Sequence, residues 1–119
     1  MSIERFIKDG DSNFIAIQAG VNNYELLNMS GDLKEHYIAI RFLDGAGNDV
    51  VPTGGLVEFK GSLFRKPSYH SFENGRFLAA DVDSDSRVIP VVYGPLRAVQ
   101  LSLENIVGAV TCVAKITSF

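Results

Sequence analysis

Apolar and polar side chains alternate with a period of two along most of this chain, the repeat of a strand with one face on a core and the other toward solvent. In "HYIAIRF", Ile38, Ile40 and Phe42 share one face, and Tyr37, Ala39 and Arg41 share the other. "LVEFKGS" sets Val57 and Phe59 against Glu58 and Lys60, and further on Val99, Leu101 and Leu103 alternate with Gln100, Ser102 and Glu104. The closing segment repeats the pattern, with Val110, Cys112, Ala114 and Ile116 opposite Thr111, Val113, Lys115 and Thr117. Val113 gives that second face apolar character, as expected of a strand covered on both sides. The short "ENIVG" between the last two runs predicts an antiparallel hairpin that turns at residues 105–108.

Turn chemistry divides the rest. "LDGAGNDVVPTGG" supplies several turns in succession, and "ENGRFLAADV" reads as an Asn74-Gly75 turn entering a strand through Phe77 and Leu78. Near the start, "NFIAIQAGV" and "NYELLNM" predict a strand pair bridged by residues 20–23. "RVIPVVYGP" is rich in β-branched residues, but Pro90 has no ladder donor and belongs at an edge or bulge. "SGDLKEHY" supports one helical turn capped by Ser30 or Asp32, and no segment keeps a 3.6-residue period. The sum is about seven to nine short strands at a spacing of about 8 to 12 residues, which predicts an all-β antiparallel sandwich or barrel.

Length and composition then narrow the class. The chain has 119 residues, enough for one core and too few for two, so a single β-sandwich domain is expected over 1–119. With 46% hydrophobic and 21% charged residues, neither wholesale disorder nor a membrane protein fits. The longest apolar runs are too short to span a bilayer, and the charged start "MSIERFIKDGDSNF" predicts no Sec-dependent export. A net charge of -3 argues against a dedicated nucleic-acid binder, which needs a basic surplus to neutralise phosphates. Cys112 is the single cysteine, so no internal disulfide framework or cysteine-based zinc site is expected, in keeping with a reducing cytoplasm.

The chemically capable residues read as structural. Cys112 falls in register with Val110 and Ala114 and is expected to be a buried small hydrophobe. His36 opens a strand and His70 sits in a loop beside Tyr69, positions of surface or hydrogen-bonded histidines rather than of bases or metal ligands. "DVDSDSR" repeats the opening of a calcium loop at Asp81, Asp83 and Asp85, but Ser86 and Val92 stand where such a loop needs glycine and glutamate. The glycines of "DGAGND" and "TGGL" lack the lysine and the strand-to-helix frame of a phosphate cradle. No cofactor and no metal are expected, and no catalytic residue is assigned.

One segment has the makings of a binding surface. In "FKGSLFRKPSYHSFENGR", Lys60, Arg65, Lys66 and Arg76 are interleaved with Phe64, Tyr69 and Phe72, a pattern that serves either as core pegs and loop cover or as a stacking, cationic surface. A second lies at the start, where Ile3, Phe6 and Ile7 precede the first confident strand. Residues 1–13 are open to two readings: an edge strand of this domain, or an arm that adds to a neighbour's sheet. An arm predicts that residues 1–8 can be removed without loss of the folded core.

The closing "YGPLRAVQLSLENIVGA" strand and turn, leading into "VTCVAKITSF", resembles the small accessory virion proteins of tailed bacteriophages, the capsid cement or decoration type. The likeness covers roughly residues 88–119, with weaker support from "FIKDGDSNFIAIQAGVNNYELL", and it carries no functional residue across. It implies a β-sandwich, jelly-roll-like, that binds an assembled capsid without catalysis. The expected partners are then the major capsid protein and the chain itself as a homo-oligomer, with neither nucleic acid nor membrane, and the expected location is the virion after synthesis in the host cytoplasm. Ile3, Phe6, Ile7, Arg65, Tyr69, His70 and Phe72 are the candidate contact residues. A tail or head-tail component, and a glycan-binding module using Tyr69, His70 and Phe72, are the alternatives.

Overall fold

The computed structural model describes residues 2–29, 33, 35–82, 87–91 and 95–119. The strands are β1 (Ile3–Phe6), β2 (Ile15–Ala16), β3 (Val21–Leu26), β4 (His36–Leu43), β5 (Asp49–Val50), β6 (Gly54–Ser62), β7 (His70–Leu78), β8 (Arg87–Val91), β9 (Ala98–Val107) and β10 (Thr111–Ser118). They form two antiparallel sheets, and the one helical element among the described residues is a 3-10 turn at Ala79–Asp81. In the first sheet β10 and β4 are central; β1 and β2 follow one another along the outer side of β10, and β5 and β8 along that of β4. The second runs β3-β9-β6-β7.

The pairing is nested. β1 and β2 pair with β10, β3 with β9, β4 with β8, and β6 with β7, as in one long hairpin folded at the β6–β7 loop. Wrapping that hairpin brings β10 beside β4 and β9 beside β6, which is the jelly-roll arrangement. Its core holds Ile38, Ile40 and Phe42 of β4, Val57 and Phe59 of β6, Val99, Leu101 and Leu103 of β9, and Cys112, Ala114 and Ile116 of β10. These are the faces that the alternation assigns inward, and Phe59 stacks on Phe77 with ring centroids 6.4 Å apart.

Three local expectations are corrected. The last two strands are not a hairpin, because β9 and β10 lie in different sheets. Val107 O accepts from Thr53 N and Val110 N donates to Leu43 O, so the backbone between the strands bonds sideways to neighbours instead of back onto β9. Residues 105–107 also belong to β9: Asn105, at φ 49, and Ile106 together face the single Gly55, a β-bulge that resets the alternation so that Ile106 points inward after Leu103. Gly55 has φ 110, and a Cβ there would lie 2.7 Å from Ile106 Cα, so the bulge requires glycine.

The expected strand pair near the start also divides, since β2 joins β10 and β3 joins β9, with β3 beginning inside the predicted turn. Asn74-Gly75 lies within β7, where residues 72–75 oppose Phe59 alone, and the true hairpin turn is the loop 63–69. Pro90 pairs only with Tyr37 of β4, on an edge strand among the described residues, which suits its missing donor. The proposed caps Ser30 and Asp32, and the calcium-like Asp83, Asp85, Ser86 and Val92, lie outside the described residues.

The N-terminal segment is an edge strand of its own domain rather than a free arm. β1 pairs with β10 from Ile3 opposite Ser118 to Phe6 opposite Lys115, and Ile7 N donates to Ala114 O at 2.9 Å. Ile7 itself is 0% exposed and belongs to the core. At the same end of the sheet His36 is buried, its Nδ1 2.7 Å from Ser118 Oγ, so the first residue of β4 is tied to the last of β10.

Candidate functional site

The residues expected to meet a partner divide between the two sheets. Ile3 is partly exposed on β1, Phe6 is half-buried opposite Lys115, and Ile7, being in the core, has no surface to offer. Arg65 is exposed on the β6–β7 loop, and His70 is exposed at the start of β7. Phe72 turns inward: its ring covers Gly61, where a Cβ would lie 2.2 Å from Phe72 Cζ, and it packs against the core. The Tyr69 hydroxyl is buried and makes no hydrogen bond of ordinary geometry. Burial, with the neighbouring Glu25 carboxylate acting in the same direction, pushes it up to about 12. Tyr69, His70 and Phe72 therefore do not form a shared stacking platform, because the polar tip of one and the ring of another are used inside the domain.

What the β6–β7 loop does present is Leu63 and Phe64, 56% and 62% exposed, followed by Arg65 and Lys66. The loop is held from beneath. Ser62 is 1% exposed, and its hydroxyl accepts from Phe64 N at 3.1 Å and Ser68 N at 3.0 Å while lying 3.2 Å from Phe64 O as donor. Arg97 N donates to Ser62 O at 2.8 Å, which anchors the base of the loop to the segment before β9. The apolar pair is thus displayed by an ordered turn.

Beyond this loop, the register sorts the other exposed large apolar residues into two groups. Ile3, Leu27, Tyr37 and Phe119 lie with Leu63 and Phe64 at the end where β4 starts and β10 finishes. Tyr37 and Phe119 meet edge to face, centroids 5.9 Å apart, and with Glu35 and Thr117 they line an open depression of about 410 Å³ on the outer face of the first sheet. Phe14, Val21, Val51, Leu78, Val107 and Val110 lie toward the opposite end, where β4 finishes and β10 starts. The middle of each outer face is polar or half-buried among the described residues, and the molecule is 37 Å long.

Charge is uneven between the two ends, although Glu25 beside Tyr69 and Glu35 beside Tyr37 lie at the loop end and Arg41 lies toward the other. Between Phe59 and Phe72 the sequence carries Lys60, Arg65, Lys66 and His70 and no acid. Toward the other end lie Asp44, Asp49, Asp81 and Glu104. Arg41 donates from Nε and Nη2 to the two carboxylate oxygens of Asp49 and, chiefly through that hydrogen bonding, holds the carboxyl below the usual range. Asp44 Oδ1 accepts from Ala46 N and Asn48 N, fixing the β4–β5 turn.

Sequence reading singled out Phe64 and Arg65 and passed over Leu63, Val107 and the Tyr37–Phe119 pair; it set Val110 on the inward face with Cys112, whereas Val110 precedes β10 and is 53% exposed. Their alternation or loop position is ordinary, and only the register shows that they gather at the ends. Among the described residues no three His, Cys, Asp or Glu side chains group as a metal site would require, and Cys112 is buried, its thiol pushed up to about 12 by that burial. No protein-family model matches the chain, and no curated protein matches its sequence.

Proposed function

We propose that this chain is a structural protein of a phage particle, which binds the assembled capsid lattice and bridges neighbouring subunits of the major capsid protein without catalysis. The observation that supports this reading is the separation of exposed apolar side chains into two groups at opposite ends of one rigid sandwich. Large exposed apolar patches mark interaction surfaces, and a bridge needs two of them, facing different ways. The jelly-roll arrangement adds an analogy at the level of fold, since viral capsid domains use it, as do lectins.

Such a protein acts through binding energy alone. Binding only the assembled lattice, it stabilises each site by about 2.7 kcal/mol at a free concentration about a hundredfold above Kd. The test is co-sedimentation of the purified protein with capsids that lack it, followed by reconstruction of particles with and without it. Stoichiometric density over the joints between capsid subunits is the expected result. Density confined to the tail would move the protein to that structure, and the absence of any binding to particles would overturn the reading.

A further inference from the structure

We infer that the β6–β7 loop of one copy docks on the opposite end of a second copy, so that the chain associates with itself head to tail. This rests on the reading above only for where the chain acts, and it uses part of each end group: Leu63 and Phe64 meet Val51, Val107 and Val110 of the next copy, which leaves Tyr37 and Phe119 at one end and Phe14, Val21 and Leu78 at the other to face the shell.

Exposed leucine and phenylalanine side chains gain by leaving water, and Leu63 and Phe64 adjoin in sequence on a turn that Ser62 holds through three hydrogen bonds. A loop ordered in advance loses little conformational entropy on binding, and apolar anchors beside cations are the composition of a contact centre with a charged rim. The complementary surface is on the same chain. Val51, Val107 and Val110 are exposed at the far end, with Asp44 and Glu104 nearby, so apolar side chains would meet apolar ones and Arg65 and Lys66 would meet carboxylates.

Geometry makes the contact heterologous. The two surfaces lie at opposite ends of the strands, so neither can be covered by the other within one copy. Contacts of this kind close into rings when the rotation between copies allows, and otherwise continue as an open array.

The experiment uses two variants of the full chain, Phe64→Asp and Val110→Asp, each changing an exposed side chain and each checked by a thermal melt for an intact fold. Analytical ultracentrifugation of the wild type is expected to show mass rising with concentration, and each variant alone is expected to associate at least tenfold more weakly. An equimolar mixture is expected to form a dimer and nothing larger, because the intact loop of the Val110→Asp copy still fits the intact far end of the Phe64→Asp copy. A wild type that stays monomeric, a pair of folded variants that associate as the wild type does, or a mixture no more associated than its components overturns the inference. Particle co-sedimentation keeps the two readings apart. Intact self-association without particle binding removes the capsid reading, and particle binding by a protein that remains monomeric removes this one.

Discussion

The buried hydroxyl of Ser62 accepts the backbone N–H of Ser68 at 3.0 Å, drawing the two sides of the β6–β7 loop together beneath the exposed Phe64. Ser62→Ala removes this bond and those to Phe64, leaving backbone donors without their partner. It is expected to cost about 1–3 kcal/mol in chemical denaturation. It is also expected to open the chain to trypsin after Arg65, since Pro67 protects the bond after Lys66, while the rest of the domain stays resistant. Unchanged cleavage of the loop would show that the hydroxyl does not order it.

Gly61 and Phe72 are coupled in the same hairpin, since a Cβ at 61 would meet the Phe72 ring at 2.2 Å. Gly61→Ala is expected to destabilise by about 1–3 kcal/mol through overpacking. Phe72→Ala leaves room for the added methyl, so the double variant is expected to be more stable than the sum of the single changes implies. Strict additivity in urea melts would show that the ring moves aside freely.

Removing residues 1–8 is expected to unfold or severely weaken the domain, the opposite of what a free arm predicts. The deletion takes away the β1 ladder on β10 and the side chain of Ile7, which is 0% exposed. Ile7→Ala alone is expected to cost about 2–5 kcal/mol. A truncated chain that melted like the full one would place β1 outside the cooperative unit.

Cys112 is expected to resist thiol reagents in the native protein and to react once denaturant is added, because burial raises its thiol from an ordinary 9.0 to about 12. The same shift fixes the sign of the alkaline response. The folded state holds the proton more tightly, so the unfolded state ionises first, and the stability it contributes is intact below pH 9.0 and falls as pH rises toward about 12. Tyr24 and Tyr69, both raised chiefly by burial, act in the same direction at higher pH. Denaturation midpoints measured across that range check it, and a midpoint independent of pH would contradict the burial of these groups. Cys112→Ser is expected to lower stability by setting a hydroxyl in an apolar face.

Which side chains point inward was legible along most strands. The alternation of Ile38, Ile40 and Phe42, or of Cys112, Ala114 and Ile116, places each on the core, and a period of two admits few other arrangements. Phe64 and Arg65 were legible as binding candidates because aromatic and basic residues interleave there, whereas Tyr69 and Phe72 of the same segment turned out to serve the domain itself. Nothing in the sequence distinguishes these outcomes, since whether a ring is covered depends on what lies opposite, here Gly61.

The sequence by itself determined an all-β domain, the inward faces of its strands, the edge position of Pro90 and the burial of Cys112, because these follow from local periodicity and from the chemistry of single residues. Only the tertiary structure decided which strands pair. β9 and β10 adjoin along the chain, and each hides one face, so a hairpin and a crossing between sheets leave the same alternating pattern. The choice fell to contacts distant in sequence, in which Val107 bonds Thr53 and Val110 bonds Leu43. The same wrapping carried Leu63 and Phe64 to one end of the sandwich and Val107 and Val110 to the other, an arrangement with no signature in local order because register, rather than periodicity, sets which strand ends meet.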